Sequence, residues 1–113
     1  MSQRHVFRFM HLTDDALSDL RAIVKGENGV GDLGIDPQYG APKKYAVSWD
    51  LQEGVDYCWI KRFVDQRSLE DDTYGVLVSL VTDRDRGRIR APKFVIDLSR
   101  AVGGVIDFSF TVV

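Results

Sequence analysis

The stretch VDYCWIKRFVD, residues 55–65, decides the fold because its apolar residues fit two periodicities. As a strand, it places four apolar side chains on one face: Val55, Tyr57, Trp59 and Phe63. As a helix, it groups a different set: Trp59, Ile60, Phe63 and Val64. The enrichment in aromatic residues and the tight turn at Glu53-Gly54 favour a strand, which would form a hairpin with residues 45–51. The helix remains the alternative.

Upstream, the sequence predicts a strand over residues 5–11 and a capped helix over residues 14–25. The strand is apolar on both faces, which is typical of a central position in a sheet. Thr13 is a natural N-cap for the helix, and Asp14 places negative charge at the positive end of the helix dipole. The apolar residues of the helix repeat at helical spacing: Ala16, Leu17, Leu20, Ile23 and Val24.

Between the two patterned regions, residues 26–44 are rich in glycine and proline and have few apolar anchors. This composition predicts a long loop, which in a compact domain is often functional. The glycines lack the spacing and the Lys-Ser/Thr pair of a phosphate-binding loop, so a flexible connection is favoured. The stretch YAVSWDL, residues 45–51, then alternates as a strand.

Downstream, the near-continuous apolar run of residues 74–81 predicts another central strand. A helix is expected over residues 92–103, because Pro92 suits a first helical position and Gly103-Gly104 stops the apolar stripe. The stretch VIDFSFTVV, residues 105–113, alternates as a closing strand. We expect its apolar set to be buried: Ile106, Phe108, Phe110 and Val112. We expect the intervening polar set to face outward: Asp107, Ser109 and Thr111.

The predicted element order is therefore β-α-β-β-β-α-β in a single domain spanning residues 1–113. Two helices covering one face of a mostly antiparallel sheet place the chain in the α+β class. The layout is related to the split βαβ, ferredoxin-like arrangement, with an extra central strand.

The composition and charge of the chain narrow the classes of function to be considered. The formal net charge of −2 and the pI near 5.6 argue against direct nucleic-acid binding. No apolar run reaches the roughly 18 residues that a membrane span needs. The opening MSQRHVFRFMHL lacks the features of a signal peptide, so we expect a cytoplasmic protein. With Cys58 as its one cysteine, the chain has no internal disulfide framework.

No catalytic, cofactor-binding or metal-binding constellation emerges from the sequence, so we do not expect an enzyme. The arginine-rich stretch TDRDRGRIR, residues 82–90, is offset by two aspartates and contains turn residues, so a solvated turn is favoured over an anion site. His5 and His11 would stand about 20 Å apart along one strand, too far to share a metal. Cys58 lies between aromatic residues and is expected to be a packed, inert thiol.

Two features suggest a binding surface. The loop SLEDDT, residues 68–73, clusters Glu70, Asp71 and Asp72 without the spacing of a calcium loop. Clustered carboxylates raise association rates with basic partners, although a solvated loop is the simpler interpretation. Trp49 and Trp59 either pack in the core or form the exposed aromatic cluster that is typical of binding hot spots.

The capped early helix, the strand YAVSWDL and the ending KFVIDLSRAVGGVIDFSFTVV resemble small bacterial α+β domains, some of which are similar to immunity proteins of interbacterial toxin systems. The resemblance covers about the last 40 residues well and the rest in element order. It implies a cytoplasmic protein that binds one cognate toxin domain and blocks it. It carries no functional residues across.

If the chain is an immunity protein, as the resemblance implies, we expect its partner to be a basic, nuclease-like toxin domain, because an acidic inhibitor masks the positive surface that binds nucleic acid. The expected partner-binding residues are Glu70, Asp71, Asp72, Asp56, Trp49 and Trp59. The alternatives are a small-molecule-binding or catalytic ferredoxin-like domain, and an inhibitor encoded by a phage or mobile element.

Overall fold

A computed structural model of the chain describes residues 2–83 and 89–113. The strands are β1 (Ser2–Leu12), β2 (Gly34–Gln38), β3 (Lys44–Asp50), β4 (Tyr74–Thr82) and β5 (Val105–Val112). The helices are α1 (Asp14–Lys25), α2 (Cys58–Arg67) and α3 (Lys93–Val102), with a short 3₁₀ helix at Asp71–Thr73. The protein is therefore α+β.

The five strands form one mixed sheet in the order β2-β3-β1-β4-β5. The neighbours are antiparallel except for β4 and β5, which are parallel and joined through α3. Strand β3 lies between β1 and β2, and β1 lies between β3 and β4, so β1-α1-β2 and β3-α2-β4 are two interleaved split βαβ units. Helix α3 and strand β5 extend this arrangement at one edge.

The prediction that residues 55–65 form a strand is wrong, because Cys58–Arg67 is the helix α2. The buried residues of α2 are the helical set of the alternative interpretation: Trp59, Ile60, Phe63 and Val64. The carboxylate of Asp56 accepts a hydrogen bond from the backbone N–H of Cys58 at 2.9 Å and so satisfies a donor at the helix start. Ser68, in the left-handed conformation at φ 50°, ends the helix.

The interpretation of residues 26–44 as one long loop is also incomplete, since Gly34–Gln38 forms the edge strand β2. Pro37 lies within it, opposite Tyr45 of β3. A proline is tolerated there because an edge strand has one side with no partner. The low apolar content of GIDPQ left no strand signal in the sequence.

The other helix predictions hold. Helix α1 begins after Thr13, whose hydroxyl accepts a hydrogen bond from the N–H of Ala16 at 3.3 Å, and it ends at Lys25 as predicted. Helix α3 begins at Lys93 because Pro92, with ψ 158°, is the extended N-cap and not the first helical residue. The central positions predicted for β1 and β4 are confirmed by the strand order.

The core lies between the three helices and one face of the sheet. Phe7 and Phe9 of β1 are fully buried at its centre. They contact aromatic rings from β3, β4 and α2: Trp49, Tyr74 and Phe63. The opposite face of the sheet carries two ion pairs, between Arg4 and Asp50 at 2.7 Å and between Arg8 and Asp107 at 2.9 Å.

Strand β5 is formed as predicted, but the burial of its apolar set is wrong. Ile106, Phe108, Phe110 and Val112 are paired with buried residues of β4 and so lie on the helix face. Their exposed fractions are nevertheless 39%, 56%, 41% and 51%. The reason is that α3 packs against α2 and β4, which leaves the helix face of β5 uncovered.

Residues 84–88 lie outside the described part of the chain, and with them most of the arginine-rich stretch that was interpreted as a solvated turn. Within the described residues, no helix combines the length and the apolar character needed to cross a bilayer.

Candidate partner-binding surface

An acidic surface forms where the start of α1, the end of α2 and the 3₁₀ helix come together. The half-buried Arg67 links two of these elements: its guanidinium forms ion pairs with Asp15, at 3.7 Å, and with Asp19. Both aspartates are exposed and stand four residues apart on the same side of α1. One arginine thus faces two carboxylates, which leaves an excess of negative charge.

The predicted acidic residues Glu70, Asp71 and Asp72 are exposed and belong to this surface. The segment is held in a tight turn, because the N–H and the hydroxyl of Thr73 both donate hydrogen bonds to the carbonyl of Glu70, at 3.0 and 2.7 Å. The hydroxyl of Tyr74 donates to the carboxylate of Asp71 at 3.3 Å. The fold therefore anchors this cluster and does not leave it as a free loop.

Burial and the nearby negative charges both shift the pKa of Tyr74. Burial of the phenol raises this pKa above its usual value, and the hydrogen bond to Asp71 together with the negative charges of Asp71 and Asp65 raises it further. Asp65 lies in the last turns of α2, where Lys61 pairs with it at 3.1 Å. We use the name acidic surface for the carboxylates of these three elements: Asp15, Asp19, Asp65, Glu70, Asp71 and Asp72.

Asp56, another predicted contact, does not belong to the acidic surface. It precedes α2, whereas Glu70–Asp72 follows the end of that helix, and ten helical residues span about 15 Å. The hydrogen bond that Asp56 accepts from the N–H of Cys58 lowers its pKa. Its carboxylate precedes the N-cap Tyr57 and satisfies the N–H of Cys58, the first residue of α2.

Trp49 and Trp59 are not exposed contacts. Only 3% and 2% of their surfaces are accessible, and their rings stack with centroids 5.5 Å apart. The prediction of an exposed aromatic anchor is therefore wrong. The cause is the helix at residues 58–67, which turns Trp59 onto the core face of β3. Among the described residues, neither indole Nε1 has a hydrogen-bond partner.

A second candidate surface is a groove of about 550 Å³ between α2 and α3. Its apolar lining comes from Val55, Tyr57, Cys58, Phe94, Leu98 and Val102. Asp56, Lys61 and Arg62 lie at its polar margin. The volume lies within the range of small-molecule sites, which hold about 300–1,000 Å³.

Cys58 is exposed in this groove, which corrects the prediction of a packed thiol. The hydrogen bond from the thiol to Asp56 raises the pKa of Cys58, with smaller contributions from burial and from the charge of Asp56. A raised pKa opposes nucleophilic reactivity, because the thiolate is the reactive form. Within residues 2–83 and 89–113, no cluster of three or more His, Cys, Asp or Glu side chains is arranged to hold a metal ion.

The third candidate is the exposed apolar row Ile106, Phe108, Phe110 and Val112, here called the β5 stripe. Its alternation is visible in the sequence, but its side chains were expected to be buried in the core. The contribution of α1 and α2 to the acidic surface was not predicted. The i, i+4 spacing of Asp15 and Asp19 was the available signal for that contribution.

No protein-family model matches the chain, and neither a curated protein nor a solved structure matches it.

Proposed function

We propose that this protein is an immunity-type inhibitor, which binds a basic bacterial toxin domain through the acidic surface and blocks it. The observation that carries the proposal is the gathering of carboxylates from α1, α2 and the 3₁₀ helix around Arg67 and Tyr74. The chain as a whole has a formal charge of only −2, so this concentration is local. A nuclease carries positive surface for its nucleic-acid substrate, and an acidic inhibitor is steered toward that surface and covers it.

The proposal predicts salt-dependent association. The test measures association and dissociation rate constants against the protein encoded by the neighbouring gene, over a series of salt concentrations. Replacing Glu70, Asp71 and Asp72 together with lysine should slow association about tenfold or more at low salt. The difference should shrink as ions screen the charges.

A matched control carries the same change of charge elsewhere. Asp32, Asp36 and Glu53 are exposed and lie outside the acidic surface, and their replacement with lysine should have a much smaller effect on association. Circular dichroism would verify that each triple variant is folded, since Asp71 also accepts a hydrogen bond from Tyr74. If both triple variants associate at the same rate, the acidic surface is not the contact.

A second candidate function is small-molecule binding, which the groove between α2 and α3 favours by its volume and apolar lining. A thermal-shift screen against metabolites would test it. A hit should lose its stabilising effect in a Leu98→Arg variant, because Leu98 lines the groove and is only half-buried. The matched Asp83→Arg variant, at an exposed position outside the groove lining, should retain it.

A further inference from the structure

The two edges of the sheet differ in how they are protected. Edge strand β2 is five residues long and includes Pro37 and Asp36, both features that discourage pairing with another strand. Edge strand β5 is eight residues long and contains neither proline nor lysine. Its charged side chain, Asp107, lies on the opposite face of the sheet in an ion pair with Arg8. An uninterrupted, apolar edge of this kind is a template for pairing with a further strand.

In β5, the backbone N–H and C=O groups that point to the open edge of the sheet belong to the residues of the β5 stripe. The N–H of Val113 donates to the carbonyl of Thr82 at 2.9 Å, so this residue faces β4. Because strand residues alternate, the N–H and C=O groups of Phe108 and Phe110 point toward the open edge. The residues that offer free backbone groups are therefore the same residues whose side chains form the β5 stripe.

We propose that β5 pairs with β5 of a second copy of the chain, antiparallel and centred on Ser109, to form a dimer with one continuous sheet. This register places Phe108 opposite Phe110 and Ile106 opposite Val112. Each of these pairs joins residues with outward backbone groups, which is the hydrogen-bonded pair of an antiparallel ladder. A two-fold axis perpendicular to the sheet keeps both stripes on the same face, where cross-strand apolar contacts stabilise the pairing.

Charge and shape favour a second copy as the occupant. Asp107 would stand opposite Thr111 and not opposite another aspartate. The 3₁₀ helix of the acidic surface contacts β5, and it leads into β4 at Tyr74, next to Gly75, which pairs with Val105 at the start of β5. In an antiparallel dimer the two acidic surfaces are therefore separated by the length of the strand, about 26 Å. Helix α3 packs against β4 and α2, so it does not obstruct pairing at the free edge of β5.

The area of the contact predicts a weak dimer. Phe108 and Phe110 each expose about half of their surface, and a fully buried aromatic side chain covers about 150–250 Å². With the neighbouring apolar residues and the backbone edge, two copies bury on the order of 1,000 Å², at the low end for specific interfaces. We therefore expect the dimer to have a dissociation constant in the micromolar range.

Sedimentation velocity over a concentration series tests the dimer. The wild-type chain should pass from monomer to dimer as its concentration rises through the micromolar range. Phe110→Lys should weaken dimerisation at least tenfold, whereas Thr111→Lys should not, because Thr111 projects from the other face toward Asp107 of the second copy. Both positions are exposed, and circular dichroism would verify folding. A chain that stays monomeric up to millimolar concentration, or equal effects of the two variants, would overturn the proposal.

Cross-linking tests the register in a Cys58→Ser background. Ser109→Cys should form an intermolecular disulfide under mild oxidation, because non-hydrogen-bonded antiparallel pairs hold their Cα atoms about 4.5 Å apart. Thr111→Cys should not, since its equivalent in the second copy is displaced by four residues, about 13 Å. A dimer that forms without the Ser109→Cys cross-link, or that cross-links equally at both positions, would overturn the proposed pairing.

Discussion

The indole ring of Trp49 lies stacked on that of Trp59, with 5.5 Å between ring centroids and 27° between ring planes. This contact joins β3 to the first turn of α2. Trp49 also stacks on Phe7 of β1, with 5.3 Å between ring centroids. The sequence left open whether this pair packs in the core or forms an exposed anchor for a partner. Its position makes it part of the connection between sheet and helix, so its removal should affect stability before it affects binding.

Trp59→Ala should therefore lower the free energy of unfolding by about 3–5 kcal/mol, the usual cost of truncating a buried aromatic residue. Urea denaturation followed by circular dichroism measures this loss. The exposed Tyr39 is a matched aromatic control, and its replacement with alanine should change stability by less than about 0.5 kcal/mol. A loss below 1 kcal/mol for Trp59→Ala would contradict the buried position.

Phe108→Ala should change the free energy of unfolding by less than about 1 kcal/mol, because more than half of the side chain is accessible. The measurement belongs at a low protein concentration, so that any pairing of β5 with a second copy does not contribute. Val78→Ala provides the comparison: Val78 is paired with Phe108 across the ladder but is fully buried, and its truncation should cost more. Equal losses would contradict the uncovered face of β5.

Local signals in the sequence were sufficient for α1. Its cap, its acidic first turn and its apolar spacing all agree, and the helix begins and ends where they predict. The stretch at residues 55–65 shows the opposite case, since its aromatic content favoured a strand while its burial follows a helix. Both periodicities shared Trp59 and Phe63, so only packing against β1 and β3 decided between them.

The burial of β5 was beyond prediction for a different reason. Alternation identifies which residues share a face, and the residues of the β5 stripe do share one. Whether a helix covers that face depends on where α3 packs, which no pattern within residues 105–113 encodes. The same limit applies to the acidic surface. The clustering of Glu70, Asp71 and Asp72 is visible in the sequence, but their proximity to α1 and α2 depends on tertiary packing.

Gly75 is required for the close approach of β4 to β5. A Cβ atom there would overlap the carbonyl oxygen of Val105 and would lie 2.7 Å from its backbone nitrogen. Gly75→Ala should therefore cost about 1–3 kcal/mol in thermal or urea unfolding, as for other overpacked sites. Ser79→Ala, in the same strand and partly exposed, should cost far less. If Gly75→Ala leaves the free energy of unfolding unchanged, β4 and β5 can move apart at this point without loss of stability.

Cys58 should react slowly with a neutral alkylating reagent near pH 8, because the hydrogen bond to Asp56 raises its pKa and reduces the thiolate fraction. Asp56→Ala removes both the acceptor and the negative charge, and alkylation should become severalfold faster. Glu53→Ala, an exposed carboxylate nearby in sequence, is the control and should react like the wild type. Mass spectrometry follows the modified fraction with time. If Asp56→Ala is alkylated at the wild-type rate, the carboxylate of Asp56 does not control the reactivity of the Cys58 thiol.

The half-buried His5, whose ring lies edge-on to Phe94 at 5.8 Å between centroids, should make the stability of the fold depend on pH. Burial lowers the pKa of His5 below 6.5, so the folded protein favours the neutral ring and the unfolded chain binds the proton more readily. The contribution of this group to stability is therefore complete above about pH 7.5 and decreases as the pH falls through 6.5 toward the folded pKa. His5→Gln should remove that part of the slope, whereas His11→Gln, at an exposed position, should retain it. Urea unfolding at several pH values between about 5 and 8 gives the free energy of unfolding of the wild type and of both variants. If wild type and His5→Gln lose stability in parallel, protonation of His5 does not oppose folding.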